Sequence, residues 1–244
     1  MKANTFLIVA PFVVLLSLCN LPAMASQDTP VVAKLTRYEV KQEYLERFRK
    51  VLSDYVLSSI PVESNIMAEA YYEKENPFIL WIIERWVSND EWKEFNNNAS
   101  SKAVMLLAEK ALVKPLKSIH VKDLEPISKQ QWRRTANTVD SPLTIMLFVD
   151  AKPGTQEVFK DVYHVAMPQF RGEPGVVTYQ LSALEEDDTQ FVTYEKFRSN
   201  EAFQYHLNFP PIKPVIDYLH SSIKKQPFQD GIHHLIEFAP LIRK

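Results

Sequence analysis

The 244-residue chain is poor in cysteine and in glycine. Its single cysteine, Cys19, lies in an apolar stretch that we expect to be removed, so disulfides, thiolate metal sites and a cysteine nucleophile are excluded from the mature protein. Four glycines are too few for a glycine-rich phosphate loop, which excludes a nucleotide-binding fingerprint. No basic run stands out, and 28 basic against 30 acidic residues argue against a nucleic-acid partner.

The histidines show no metal-ligand spacing. His233 and His234 are adjacent on a predicted strand, so their side chains point to opposite faces. No His-x-x-x-His motif and no cysteine cluster occurs, so we predict no metal site.

The N-terminus has the pattern of a secretory signal peptide. Lys2 supplies the positive charge, Phe6–Leu18 the apolar region, and Ala23–Ala25 a cleavage site of small residues. The apolar run is shorter than the ~20 residues that span a bilayer. We therefore predict cleavage after Ala25, a periplasmic or secreted protein, and no membrane contact of the mature chain.

The rest of the chain is an internal repeat, and 46% hydrophobic residues are enough for a buried core. Matching residues recur at a constant offset of 111 positions. The pairs are Phe48 and Phe159, Val51 and Val162, Glu84-Arg85-Trp86 and Glu195-Lys196-Phe197, Ser88-Asn89 and Ser199-Asn200, and Trp92 and Phe203. The mature protein therefore consists of two homologous halves.

Both halves show the same order of hydrophobic periodicities. Alternation of period two predicts strands, and apolar residues spaced by three and four predict helices. The order is β-α-β-β-α-β, so the predicted class is α+β with two tandem ferredoxin-like domains. We place a divergent first domain at residues 31–127, an exposed linker at 128–141 and a second domain at 142–244.

Five ordered motifs of the second half closely resemble the antibiotic biosynthesis monooxygenase family. They are Lys152-Pro153-Gly154, Glu173-Pro174-Gly175, Tyr194-Glu195-Lys196-Phe197, Ser199-Asn200-Glu201-Ala202-Phe203 and His206. The first half shares Glu84 to Trp92 but lacks the Pro-Gly turns, and it has Phe95 where the second half has His206. The resemblance implies dimeric α+β barrel domains, some of which oxidise quinols without a cofactor. Such domains pair two chains to close one barrel and cover their sheet edges, so two fused copies would close that barrel within this chain, and a homodimer is left open.

This resemblance makes His206 the candidate catalytic residue. A neutral imidazole could take a proton from a phenolic substrate, and the anion could react with dioxygen without metal or flavin. Glu195 and Tyr194 are the candidate supporting polar groups. The structural alternatives are a histidine that bridges helix and loop, a carboxylate held in a structural hydrogen bond, and a half-buried tyrosine.

Aromatic residues are the candidate substrate-binding groups, because aromatic walls can stack a planar ligand. They are Tyr179, Phe191, Phe197 and Phe203 in the second half, and Trp81, Trp86 and Trp92 in the first. Aromatic residues at strand and helix spacing are also typical of a core. We therefore expect an exported oxygenase of a small quinol-like compound, and the alternative is a non-catalytic module that binds an aromatic ligand.

Overall fold

The computed structural model describes residues 30–136, 139–225 and 231–240. The predicted signal peptide, residues 1–25, lies outside them. No helix in these three segments is long and apolar enough to cross a membrane. The strands are β1 (Val32–Glu39), β2 (Asn65–Glu73), β3 (Ile79–Trp86), β4 (Lys117–Leu124), β5 (Leu143–Asp150), β6 (Val176–Leu184), β7 (Gln190–Phe197) and β8 (Ile232–Ala239). The helices are α1 (Leu45–Ser59), α2 (Asn89–Asn96), α3 (Ala99–Ala111), α4 (Lys129–Trp132), α5 (Gln156–Arg171), α6 (Asn200–Leu207) and α7 (Lys213–Ser221), with short 3₁₀ turns at Gln42–Tyr44 and Pro210–Ile212.

The repeat is preserved in three dimensions. The first strand, first helix, two hairpin strands and next helix of the second half each begin 111 residues after their counterparts. Both halves are β-α-β-β-α-β units, which confirms the predicted fold class. In the first half the second helical region is divided into α2, which ends at Asn96, and α3, which begins at Ala99.

The eight strands form one closed barrel in the order β1-β3-β2-β8-β5-β7-β6-β4. The last strand of each half joins the two sheets: β4 pairs with β1 and with β6 of the second half, and β8 pairs with β5 and with β2 of the first half. Every strand thus has two neighbours and no sheet edge is left open. The predicted intrachain barrel is confirmed.

Strand alternation separates the residues into a barrel interior and two outer layers. On β3, Trp81 and Ile83 face the interior, whereas Leu80, Ile82 and Trp86 pack under the helices of the first half. The helices α5 and α7 cover the second half in the same way. A functional side chain must therefore belong either to a helix-sheet layer or to the interior.

The first part of the predicted exposed linker, residues 128–133, is packed against the barrel. Ser128 caps α4, and Trp132 at its end is 1% exposed. Its ring lies 4.3 Å from the Arg85 guanidinium and 5.6 Å from the Tyr194 ring, inside the barrel. Arg133 donates hydrogen bonds to the carbonyls of residues 60, 65 and 66. Residues 128–133 close one barrel end, because the apolar tryptophan, isolated among polar residues, is buried by the tertiary fold.

Candidate functional site

His206 is a buried histidine near the end of α6. Ser199 caps this helix through its hydroxyl, which accepts the Ala202 amide. The His206 side chain is 2% exposed, and its Nδ1 lies 2.7 Å from Glu173 Oε1. The imidazole packs against the rings of Phe170, Tyr179 and Phe197 at centroid distances of 4.7, 5.4 and 5.3 Å.

Glu195 lies in the same helix-sheet layer. Its Oε1 accepts hydrogen bonds from the Tyr179 hydroxyl at 3.0 Å and from the Thr193 hydroxyl at 2.6 Å. Tyr179 therefore contacts both Glu195 and His206. We call His206, Glu173, Glu195 and Tyr179 the second-half polar cluster.

The ionisation of this cluster is strongly perturbed. Burial raises the pKa of Glu195 to about 7, although its two hydrogen bonds oppose the shift. Burial, with the charge of Glu195, raises the pKa of Glu173 to about 7. Burial lowers the pKa of His206 to about 4, so the imidazole is neutral at physiological pH. Carboxyl groups with a shifted pKa beside a neutral imidazole are typical of functional sites. Ion pairs buried in a core also shift pKa values.

Three of the predicted substrate-binding aromatics join Tyr179 in this layer. Phe191 packs on Phe159 of α5, and Phe197 contacts both Phe203 and His206. Phe203 also lines a surface cavity of about 760 Å³ beside α6. The cavity is therefore separated from His206 by two aromatic side chains, Phe203 and Phe197.

Tyr194 lies on the opposite face of β7 from Glu195, inside the barrel. Its hydroxyl is 2.7 Å from the Tyr71 hydroxyl and also donates to Glu69. Lys196 pairs with Glu69 at 3.0 Å in the same network. The structure does not bring Tyr194 to His206, because neighbouring strand residues point to opposite faces. Its partners Glu69 and Tyr71 belong to the first half, so Tyr194 connects the two halves.

The first half has no equivalent polar cluster. Glu84 matches Glu195, but it accepts hydrogen bonds from Tyr55 and from the Trp86 indole, both at 2.8 Å. Phe95 takes the place of His206 and packs against Tyr55 and Trp86. Trp92 lies on the outer side of this layer. Trp86 and Trp92 thus have the surroundings of packing residues.

Trp81 alone among the predicted first-half aromatics faces the barrel interior. It lines a cavity of about 540 Å³ at the barrel end opposite α4, which also includes Phe148 and His233. Neither His206 nor Glu195 lines this cavity, the cavity beside α6 or a small cleft next to α4. Within these segments no group of three or more histidine or acidic residues is placed to hold a metal.

Sequence reasoning missed the role of Glu173 as the partner of His206. The two residues are 33 positions apart and belong to different elements, so no local spacing links them. The one signal was the position of Glu173 in the Glu-Pro-Gly turn before β6. Burial of both side chains depends on α6 folding back over that turn.

The comparisons with known proteins agree with this architecture. A family model described as antibiotic biosynthesis monooxygenase matches residues 31–105 and 142–217, together more than half of the chain. The chain belongs to the antibiotic biosynthesis monooxygenase family. Both matched segments are single β-α-β-β-α units, so the protein is a tandem member of that family.

A comparison with individual proteins gives a distant relative. An uncharacterized protein of Synechocystis sp. is 27% identical over 88 residues, which cover 36% of this chain and 55% of the relative. The chain thus matches about half the length of that relative.

Solved structures support the fold. A "putative monooxygenase" from Lactobacillus acidophilus has a TM-score of 0.71 at 15% identity, covering 86% of this chain and 94% of its own. A "putative monooxygenase" from Fusobacterium nucleatum has a TM-score of 0.72 at 14% identity, covering 86% and 92%. An anthrone oxidase-like protein has a TM-score of 0.56 at 9% identity, covering 84% and 91%. At these identities the likeness is one of fold.

Proposed function

We propose that this tandem family member is an exported monooxygenase that oxidises a small phenolic or quinol-like compound with dioxygen and without a cofactor. The observation that carries the proposal is the second-half polar cluster, in which a neutral buried histidine contacts a perturbed carboxyl group. Family membership supports a monooxygenase-like role. The predicted signal peptide supports export to the periplasm or medium.

His206 acts as the base in this mechanism, and Glu173 sets its tautomer. An ionised Glu173 accepts a hydrogen bond from the Nδ1–H of His206, which leaves the Nε2 lone pair to take the phenolic proton. A protonated Glu173 donates to Nδ1 instead, and Nε2 then carries a proton and cannot act as a base. Because the pKa of Glu173 is about 7, the basic form of His206 increases as pH rises through 7.

The substrate anion supplies the electrons for the oxygen step. A carbon of the anion that bears a hydrogen forms a bond to one atom of dioxygen, which gives a peroxide. Loss of that hydrogen as a proton forms the C=O bond and breaks the O–O bond, and the outer oxygen leaves as water with this proton and the one that His206 took from the phenol. Phe203 and Phe197 lie between the surface cavity beside α6 and His206. In this mechanism their side chains move apart to admit the substrate ring and then form its apolar walls. Glu195 holds the Tyr179 hydroxyl by a hydrogen bond, and the Tyr179 ring positions the His206 imidazole.

Dioxygen consumption by purified, metal-free protein with a panel of quinols and anthrols tests the proposal. The key variant is His206→Phe, because Phe95 occupies the equivalent site of the first half and shows that phenylalanine packs there. We expect a loss of at least about 100-fold, the usual contribution of a general base. His220→Ala, on the exposed surface of α7, is the matched control and should leave turnover unchanged.

The pH profile separates catalysis from packing. Turnover of the wild type should rise as pH passes through about 7, and Glu173→Gln should remove that rise while the melting temperature is retained. Turnover undiminished in His206→Phe would keep the enzyme and refute this site. No turnover across the panel would refute the oxygenase.

The second candidate function is non-catalytic binding of an aromatic ligand in the same compartment. One observation favours it: His206 lines neither the cavity beside α6 nor those at the barrel mouth and next to α4. Ligand binding without oxygen consumption would support this alternative.

A further inference from the structure

The end of the barrel opposite α4 carries a cavity that the polar cluster does not use. Its volume is about 540 Å³, within the ~300–1,000 Å³ usual for small-molecule sites. Seven of the eight strands contribute to its lining, and β2 contributes Glu73 just behind it. We call this cavity the mouth cavity. It lies on the interior face of the sheet, whereas His206 and Glu195 lie on the helix-facing side.

Three rings form one wall of the mouth cavity. The Trp81 and Phe148 centroids are 6.3 Å apart and their planes are inclined by 33°. The His233 ring is 5.7 Å from Trp81 and 5.6 Å from Phe148, edge-on to both. Because Trp81 is 2% exposed and the other two are half-buried, the rings offer a fixed aromatic surface at the base of the opening.

Glu73 fixes the orientation of two of these rings. Its Oε1 accepts hydrogen bonds from the Trp81 indole at 2.8 Å and lies 3.0 Å from His233 Nδ1. Burial opposes ionisation of Glu73, but these hydrogen bonds and the charges of His233 and Arg37 outweigh it and lower its pKa. The ionised carboxylate holds the proton on His233 Nδ1, which leaves Nε2 for a ligand.

The rim of the mouth cavity has more cations than anions. Arg37 and Lys114 both pair with Glu39, at 3.3 and 2.7 Å. Lys117, which is exposed on β4, has no ion-pair partner among the described residues. The rim therefore has a surplus of positive charge, because three cations, Arg37, Lys114 and Lys117, outnumber the two anions Glu39 and Glu73.

We propose that the mouth cavity binds a small planar aromatic compound that carries a carboxylate. The ring packs on Trp81 and Phe148, the carboxylate meets the cationic rim at Lys117, and His233 Nε2 supplies a further polar contact. Trp81 and Lys117 come from the first half and Phe148 and His233 from the second, so the site exists only because the barrel closes within one chain. It does not rest on the proposed oxygenase chemistry.

Isothermal titration of the protein with 2-naphthoate tests this proposal. Naphthalene-2-methanol lacks the charge, and cyclohexanecarboxylate lacks the aromatic ring. We expect 2-naphthoate to bind with a Kd of about 1 mM or better and each comparator to bind about ten-fold more weakly.

Two variants locate the ligand. Phe148→Leu should weaken 2-naphthoate about ten-fold, and Lys117→Gln about five-fold, with little effect of the latter on naphthalene-2-methanol. The matched control is Lys122→Gln, since Lys122 is exposed on the same strand but points away from the interior. Melting temperatures identify variants that fail to fold.

Specific results would overturn the proposal. One is the absence of saturable 2-naphthoate binding, and another is equal affinity for all three probes. A third is loss of binding in His206→Phe with no loss in Phe148→Leu, which would place the ligand in the helix-sheet layer.

Discussion

Replacement of Trp132 tests whether the segment between the halves is part of the core. Trp132 is 1% exposed and packs on the Arg85 guanidinium and the Tyr194 ring. Truncation of a buried tryptophan to alanine usually costs ~3–5 kcal/mol of unfolding free energy. The lost cation–π contact with Arg85 adds ~0.5–2 kcal/mol.

One contribution acts in the other direction. The Trp132 indole Nε1 is buried and has no hydrogen-bond partner among the described residues. An unpaired buried N–H costs ~1–3 kcal/mol in the wild type, and this cost is recovered on truncation. We therefore expect Trp132→Ala to lose about 3 kcal/mol. Trp132→Phe keeps a ring against Arg85 and Tyr194 and removes the unpaired N–H, so it should differ from the wild type by less than about 1 kcal/mol.

Urea unfolding followed by far-UV circular dichroism measures both variants. The midpoint, at unchanged denaturant slope, gives the difference in unfolding free energy. A loss below about 1 kcal/mol for Trp132→Ala would show that the segment is not packed into the barrel. If Trp132→Phe lost as much unfolding free energy as Trp132→Ala, the contributions assigned to the aromatic ring and to the unpaired N–H would be refuted.

Two further substitutions test the second half. Glu195 is protonated in the folded state up to about pH 7 but ionises near 4.5 when unfolded, so wild-type stability falls as pH rises across this window. In urea unfolding, the unfolding free energy of Glu195→Gln should therefore rise by up to about 3 kcal/mol relative to that of the wild type as pH increases from 4.5 to 7.5. A difference between the two proteins that stays constant with pH would contradict the raised pKa of Glu195. A Cβ at Gly175 would lie 2.4 Å from the Ala202 Cβ. Gly175→Ala should cost ~1–3 kcal/mol and lower the melting temperature, and an unchanged melting temperature would show that α6 can move away from this turn.

Much of the fold was predictable from the sequence. The 111-residue repeat, the element order and the strand faces follow from residue spacing, because hydrophobic periodicity reflects which side of each element is buried. The same alternation places Tyr194 and Glu195 on opposite faces, so the prediction that both support His206 overlooked it. The family resemblance extended the prediction to the closed barrel.

The candidate site was only partly predictable. His206, Glu195 and Tyr179 do lie together, whereas the pairing of His206 with Glu173 depends on how α6 folds over the turn before β6. The burial of Trp132 was not predictable, because its neighbours in the sequence are polar and only the barrel end supplies its apolar contacts.

The sequence by itself thus determined the elements, their order and their repetition. The tertiary structure decided which halves supply each site: β4 and β8 cross between the sheets, Trp132 closes one end, and residues from both halves meet at the other. The physical reason is that periodicity records only whether a side chain is buried. Its partner is chosen by strand order and barrel closure, which bring together residues more than 100 positions apart.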